Sequence, residues 1–474
     1  MADDRELIRW VDKAEDVVWD IETDVLVIGC GGCGLVAALA AAEQGASVLI
    51  VEKEAKAGGN TSLSQGMVPA AGSALQKQAG IEDSPDIMAE DILRKNHHQG
   101  DPGMTLLAAR ESGRLIDWLT DRMGIKFQVV TNFIYPGHSR HRIHAPSTTK
   151  GVQLVNQLLK AASEFDNLDI AYGAPAKRLV VRKQDNAVLG GEIEIKGVGI
   201  NMARARKTIL ALNGFGANRE MVAQYIPEMK DAYYFGHEGN TGEGILWGQA
   251  LGAALENMTA YQAHGSVAHP HGTLLTWAAI SLGGYQVNAD GLRFVNEDHG
   301  YSEHALDVLD QKGGTAVEIF DRRIKDQLVG FEDFHQCQEI GAIREFSTIE
   351  DLARGFDIDP VALAKTHQVF QKVAAKEILD PLGRTNIEQP LVPPYYGVRV
   401  TGALFHTQGG LKIDSLARVV NDNGEPIPNL YAGGGTAVGL SGKTVYGYLS
   451  ANGLLAALVL GKIAGESAGR AISG

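Results

Sequence analysis

Branched apolar residues fill Val25 to Ile28, a glycine cluster follows, and an alanine-rich stretch begins at Leu35. Asp24-Val-Leu-Val-Ile-Gly29 reads as a strand buried on both faces, because nothing polar alternates with its apolar residues. Leu35 to Gln44 predicts a helix stopped by Gly45, and Ser47-Val-Leu-Ile-Val51 predicts a second strand closing at Glu52. The uncharged run from Val25 to Ala42 imitates a membrane span, but Gly29, Gly31, Gly32 and Gly34 interrupt it where the composition changes. A strand followed by a helix is the better reading. Far down the chain, residues 320–390 carry more charge and helical spacing, as at Ile349–Arg354 and Pro360–Ala374. Pro390, Pro393 and Pro394 then break the pattern before an extended Tyr396–Thr401.

The 474 residues exceed what one compact domain needs and predict two or three folding units. Acidic residues outnumber basic ones, 57 to 43, and the formal charge of −14 repels phosphate backbones, which argues against nucleic-acid partners. Cys30, Cys33 and Cys337 cannot build a disulfide framework, so a reducing compartment is expected. The first twenty residues are charged and contain no apolar segment of the signal-peptide kind. The expectation is a soluble, cytoplasmic protein without a membrane span.

Gly29-Cys-Gly31-Gly-Cys-Gly34 sits between the predicted strand and helix, and Glu52 lies about twenty residues further on. Gly29 permits the tight turn, Gly31 lets backbone approach a pyrophosphate, and Gly34 lets helix and strand pack closely. The helix N-terminus favours the diphosphate charge, and Glu52 accepts from ribose hydroxyls. Cys30 and Cys33 fall inside this loop and read as small apolar filler rather than a redox pair. After Glu52 come Lys53, then Gly59-Asn60-Thr61-Ser62, Ser64 and Gly66. Such a cluster suits a second loop wrapping an extended FAD, and Lys53, Gly59, Asn60, Thr61, Ser62 and Gly66 join the candidate cofactor set.

At this point the chain resembles the fumarate reductase/succinate dehydrogenase flavoprotein superfamily. Its further landmarks follow in family order: Ala211–Asn218, Gly239–Gly244, Gly409–Asp414, Asn429–Gly435 and Leu460–Gly465. The resemblance runs from about Asp24 to Gly465. It implies an α/β fold: a discontinuous, Rossmann-type doubly wound FAD-binding domain over 1–258 and 406–474, with an inserted α+β capping or substrate domain over 259–405. It further implies Ala176, Asn213, Gly214 and Gly434 as cofactor contacts. Non-covalent FAD is expected, since Asn60-Thr61-Ser62 lacks the histidine that succinate dehydrogenases use there.

Members of this superfamily add or remove a hydrogen pair across a carbon–carbon bond. The fumarate reductases clamp carboxylates with arginines and histidines and deliver a proton through a further arginine. The 3-ketosteroid dehydrogenases use tyrosines instead, because their activating group is a ketone. Val287–Glu297 matches the family's strand-turn-strand landmark, and four residues past Glu297 stands Tyr301 where fumarate reductases carry the proton-delivering arginine. The resemblance therefore assigns proton abstraction to Tyr301. Counting back from Leu460–Gly465, the substrate arginine of fumarate reductases falls at Tyr448. Tyr446 or Tyr448, with the Ser450–Gly453 backbone, then holds a carbonyl oxygen as in ketosteroid dehydrogenases, and the choice between the two tyrosines stays open. Ser450 is a candidate for a proton relay.

His264, Thr276 and His406 match positions that fumarate reductases use toward carboxylates, and here they either bind a carboxylate on a small ring or hydrogen-bond flavin and backbone. The segment 132–144, dense in bases and aromatics, is either a lid bringing Tyr135 to the substrate or a solvated loop. His269 and His271 show no HExxH-type spacing, so no metal site is expected. The leading expectation is an FAD-dependent α,β-desaturase of a cyclic ketone, either a 3-ketosteroid or a smaller oxo-ring, with an external electron acceptor. A fumarate-type enoate reductase is the alternative, and a non-catalytic flavin carrier the third.

Overall fold

The computed structural model describes residues 7–131, 134–135, 137–387 and 389–473, and these form two compact units. The first comprises residues up to Ile226, Gly236–Tyr261 and His406 onward; the second comprises Pro227–Phe235 and Gln262–Phe405.

The first unit is built on a nine-stranded sheet. Its parallel part sets Leu168–Tyr172, Val48–Glu52, Ile21–Ile28, Gly199–Leu210 and Pro426–Ala432 side by side. The strand Gly199–Leu210 changes neighbour along its length: residues 199–204 pair antiparallel with Val188–Ile195, and residues 208–210 pair parallel with Leu430–Ala432. That switch is how the C-terminal return closes onto a sheet begun by the N-terminal strands.

Helix α1 (Gly32–Glu43) follows Ile21–Ile28 and is buried on nearly every face. An alanine-rich helix with no polar side fits such a position, between the sheet and helix α2 (Asn452–Ser473). The two helices meet along a seam of small residues. A methyl added at Gly461 would sit 2.5 Å from the Cys33 carbonyl oxygen, and one at Gly465 would overlap the carbonyl of Ala37. The spacing Gly461–Gly465–Gly469 puts one small residue per turn on this face, so the C-terminal glycine motif is a packing device.

The second unit carries a seven-stranded sheet whose main path runs Thr273–Leu274, Tyr261–Ala268, Tyr395–Thr407, Thr315–Asp321 and Tyr285–Val287, with Tyr233–Tyr234 and Arg344–Phe346 each pairing with Tyr395–Thr407 off that path. Tyr285, Phe320, Phe334, Phe370 and Tyr396 fill its core with the helices between residues 322 and 374. The segment Pro227–Phe235, which the sequence reading placed with the flavin domain, clusters here because Tyr233 and Tyr234 pair with Ala403 and Leu404. No helix among the described residues is long and apolar enough to cross a membrane.

Candidate active site

In the first unit the glycine loop and its neighbours form a cradle. Gly29 has φ +108, and a methyl there would sit 2.4 Å from the Ala211 carbonyl oxygen, so the turn requires glycine. A methyl at Gly34 would overlap the Gly29 carbonyl. Gly31 is the N-cap of α1 and offers no side-chain oxygen to the first-turn amides, which suits an anionic ligand at that end. Thr61 Oγ1 accepts from the Gly32 N–H at 3.0 Å, tying the second loop to the first. Glu52 accepts from the Cys30 and Glu54 amides at 2.8 and 2.9 Å. Burial pushes the Cys30 and Cys33 thiols up to about 12, which makes them inert filler at neutral pH.

The second loop is pinned to the landmark at 239–244. Asn60 Oδ1 accepts from the His237 amide (2.7 Å) and Asn240 Nδ2 (2.9 Å), while Lys53 Nζ donates to Gly239 O (2.6 Å) and pairs with Glu243 (2.9 Å). Gly59, next to Asn60, has φ +51 and open space where a side chain would stand. Ser62 Oγ donates to the Gly59 carbonyl, Gly66 backs onto Gly151, and Ala176 opens a strand paired with Val188–Ile195. On the far wall Asn213 has φ +71, and its carbonyl accepts from Thr436 Oγ1 at 3.0 Å. Gly214 and Gly434 pack against Thr407 and Cys33.

One contributor escaped the sequence reading. Asn452, fully buried at the start of α2, has no hydrogen-bond partner on either Oδ1 or Nδ2. Buried amides left this way normally face a bound group or water. The bare helix N-terminus, the open loop at Gly59 and the unpaired Asn452 together fit an extended dinucleotide.

The C-terminal candidates lie in the same unit. Thr444 caps a turn over Val445–Gly447 that leaves Tyr446 47% exposed and buries Tyr448 to 7%. Tyr448 alone meets the other candidates: the Gly453 amide donates to its hydroxyl oxygen at 3.4 Å, and its ring stands edge-on to His406 at 5.3 Å. Burial pushes the Tyr448 phenol up to about 12, so it is a hydrogen-bond donor at neutral pH. His406 is pushed down to about 4 by burial and is neutral. Ser441 Oγ lies 2.9 Å from Gln408 Oε1, and Gln408 Nε2 lies 3.0 Å from His406 Nδ1. The same Nδ1 lies 3.4 Å from the Thr407 carbonyl oxygen, so this edge of the ring is held by both residues.

Ser450 is buried, and its carbonyl accepts from His138 Nε2 at 3.0 Å. This contact fastens the 137–144 segment to the loop before α2. Tyr135 directs its hydroxyl to Gln65 Oε1 (3.4 Å) and Met67 Sδ (3.3 Å) and packs beside Met67, Ile143 and Ala145. Asn132, Phe133 and Pro136 of the same stretch lie outside the described residues.

The second unit holds Tyr301 at the first position of helix α3 (Tyr301–Leu309). Its ring stacks on His264 at 4.8 Å and 21°, and meets Trp277 edge-on at 6.2 Å. Phe405 stacks on the His264 ring at 5.4 Å. The helix approaches this closely because Gly265 has no side chain: a methyl there would stand 2.8 Å from the His304 ring. Ser302 Oγ also accepts from the Ala263 amide at 3.0 Å. His264 is pushed down to about 3, chiefly by burial, and its Nδ1 accepts from the Ser266 amide, so Nε2 bears the hydrogen. Thr276 lies buried beside Trp277, and its Oγ1 accepts from the Ala278 amide at 3.4 Å. The turn before Tyr301 is braced by Arg293, which binds Glu297 (2.6 Å) and Asp380 (2.8 Å).

The dinucleotide cradle of the first unit is that of an FAD-dependent oxidoreductase. The match to the FAD binding domain family covers residues 24–448, and the chain belongs to this family of fumarate reductase- and ketosteroid dehydrogenase-like flavoproteins. It is 31% identical over 454 residues to a probable fumarate reductase, Ifc3, of Shewanella frigidimarina, covering 94% of this chain and 75% of the relative. The open conformation of a flavocytochrome c3 fumarate reductase is similar in structure, with a TM-score of 0.81 and 29% identity over 96% of this chain and 80% of that one. A 3-ketosteroid-Δ4-(5α)-dehydrogenase from Rhodococcus jostii RHA1, in complex with 4-androstene-3,17-dione, is similar with a TM-score of 0.78. Its identity is 25%, over 98% of this chain and 99% of that one.

Proposed function

We propose that the protein desaturates the α,β carbon–carbon bond of a cyclic ketone. The observation that carries this reading is the buried Tyr448 hydroxyl, whose oxygen accepts from the Gly453 amide at 3.4 Å, a contact that orients a neutral phenol donor suited to a carbonyl oxygen. Removing an α-proton from a ketone moves negative charge onto its oxygen, and preorganised donors stabilise that charge at about 3 kcal/mol each.

Tyr301 takes the α-proton. A phenol does so as its phenolate, or by passing its own proton on as the new one arrives. His264 is stacked face to face with it, and imidazole lone pairs lie in the ring plane, so this contact fixes the orientation of Tyr301 and does not receive its proton. Bound FAD supplies the two-electron acceptor that the β-hydride requires. Glu52, Lys53, Asn60, Thr61, Asn213 and Asn452 are the residues that would hold the cofactor. The His406 ring, held by Gln408, is a further polar group for a substituent such as a ring carboxylate.

A second reading, reduction of an enoate, is supported by the fumarate reductase relative and by His264 and His406 at positions such enzymes use. Anaerobic mixing separates the two. Saturated cyclic ketones of graded size are expected to bleach the oxidised flavin band while succinate does not. Bleaching by succinate, or rapid reoxidation of reduced flavin by fumarate with no response to any ketone or enone, would establish the second reading instead.

A further inference from the structure

We propose that His299, His304 and Asp307 form a binding site for a divalent transition-metal ion, best matched by zinc, beside the turn that presents Tyr301. One ligand atom from each of the three lies within 4.8 Å of the others. His299 ends the turn Glu297–His299, and His304 and Asp307 lie one turn apart on the same face of α3. His299 Nε2 is 3.1 Å from Asp307 Oδ2, and the His299 and His304 rings meet edge-on at 5.8 Å. The neighbouring Asp298 is engaged elsewhere, accepting from the Thr385 and Asn386 amides.

The second observation concerns His304 itself. It is fully buried, and its Nδ1 has no hydrogen-bond partner. The opposite nitrogen, Nε2, lies 2.9 Å from Gln286 Oε1. Gln286 cannot be turned over, because its Nε2 faces the Gly265 carbonyl (3.2 Å) and Glu318 Oε2 (2.9 Å), which accept. His304 Nε2 therefore carries the hydrogen, and Nδ1 presents a buried lone pair. A histidine whose second nitrogen is fixed as a donor to an oxygen is the usual condition of a metal ligand. Two imidazoles and a carboxylate suit zinc and leave a fourth position for water. HExxH spacing does not describe this set; here a turn residue joins two residues of the following helix. The ion would link the two sides of Tyr301 without taking part in proton transfer, so the site stands whichever substrate reading holds.

The test uses untagged FAD holoenzyme stripped with a chelator and titrated with zinc chloride by calorimetry, with a chromophoric chelator as competitor. One zinc per chain is expected. Affinity should fall at least about tenfold in His299→Ala and in Asp307→Asn, since even partners behind metal ligands are worth that much. Both positions are partly exposed, and retained FAD reports that each variant is folded. Absence of stoichiometric binding to the wild type, or unchanged affinity in both variants, would overturn the site and leave His299–Asp307 as a simple side-chain contact.

Discussion

Replacing Gly453 with alanine tests the placement of the Tyr448 hydroxyl without deleting it. The new methyl would lie 2.9 Å from His406 Cε1, 3.0 Å from Nε2 and 3.4 Å from the Tyr448 hydroxyl oxygen. Carbon atoms rest about 3.5–4.0 Å apart, so the imidazole, the phenol or the helix start must retreat by roughly 0.5–1 Å. His406 cannot swing freely, because Gln408 and Ser441 hold it from behind. Gly453 is the second residue of α2, and alanine is favoured over glycine in helices by about 1 kcal/mol, which offsets part of the strain. The fold and FAD content should therefore survive. The rate should not: a misplacement of about 1 Å costs on the order of a hundredfold, close to losing one oxyanion donor outright. That is roughly 2.7 kcal/mol of transition-state stabilisation. Stopped-flow bleaching of the flavin by a reactive cyclic ketone, with FAD content and melting temperature measured alongside, reads all three. An unchanged bleaching rate in folded, FAD-replete Gly453→Ala would refute the assignment of residues 448–453 to the substrate oxygen.

Tyr448→Phe should lose about 10²–10³ in the same rate, whereas Tyr446→Phe, changed at an exposed site, should match the wild type; the reverse order would move the role to Tyr446. Burial alone raises the Asp91 carboxyl, but Ser139 hydrogen bonds and the charges of Arg142 and Arg94 outweigh it and hold it below its ordinary value. A depressed carboxyl stabilises above its unfolded value near 4 and loses that contribution as pH falls through the folded one. Urea midpoints should accordingly drop under acid in the wild type and depend less on pH in Asp91→Asn. Burial pushes Glu318 up to about 7, so its cost to stability grows as pH rises from its unfolded value through that point. Glu318→Gln should raise the melting temperature more at about pH 8 than at about pH 5, and an equal effect at both would contradict the shift.

Much of the flavin-binding unit is legible in the chain because its signals are local. Unbroken branched residues mark Val25–Ile28, and Pro360–Ala374 carries both an N-terminal proline and a helical apolar face. The helix after the glycine loop begins at Gly32 rather than Leu35, since a loop shaped for a diphosphate enters its helix through glycines that propensity discounts. The two C-terminal tyrosines are inseparable by spacing; a threonine-capped turn buries one and exposes the other. Gln408 and Ser441 are 33 residues apart in sequence, and the unpaired state of Asn452 exists only in the packed structure. The same holds for Gln286, which sets His304 across a strand-to-helix contact that no short motif encodes.

The central claim is that a tyrosine at position 301 accepts the substrate proton. It is tested most directly by the anaerobic rate at which one cyclic ketone bleaches wild-type and Tyr301→Phe flavin, each loaded with FAD to the same extent. The account predicts a fall of at least about a hundredfold, the usual worth of a positioned acid–base group. Equal rates would contradict it and leave Tyr301 as an aromatic packed on His264.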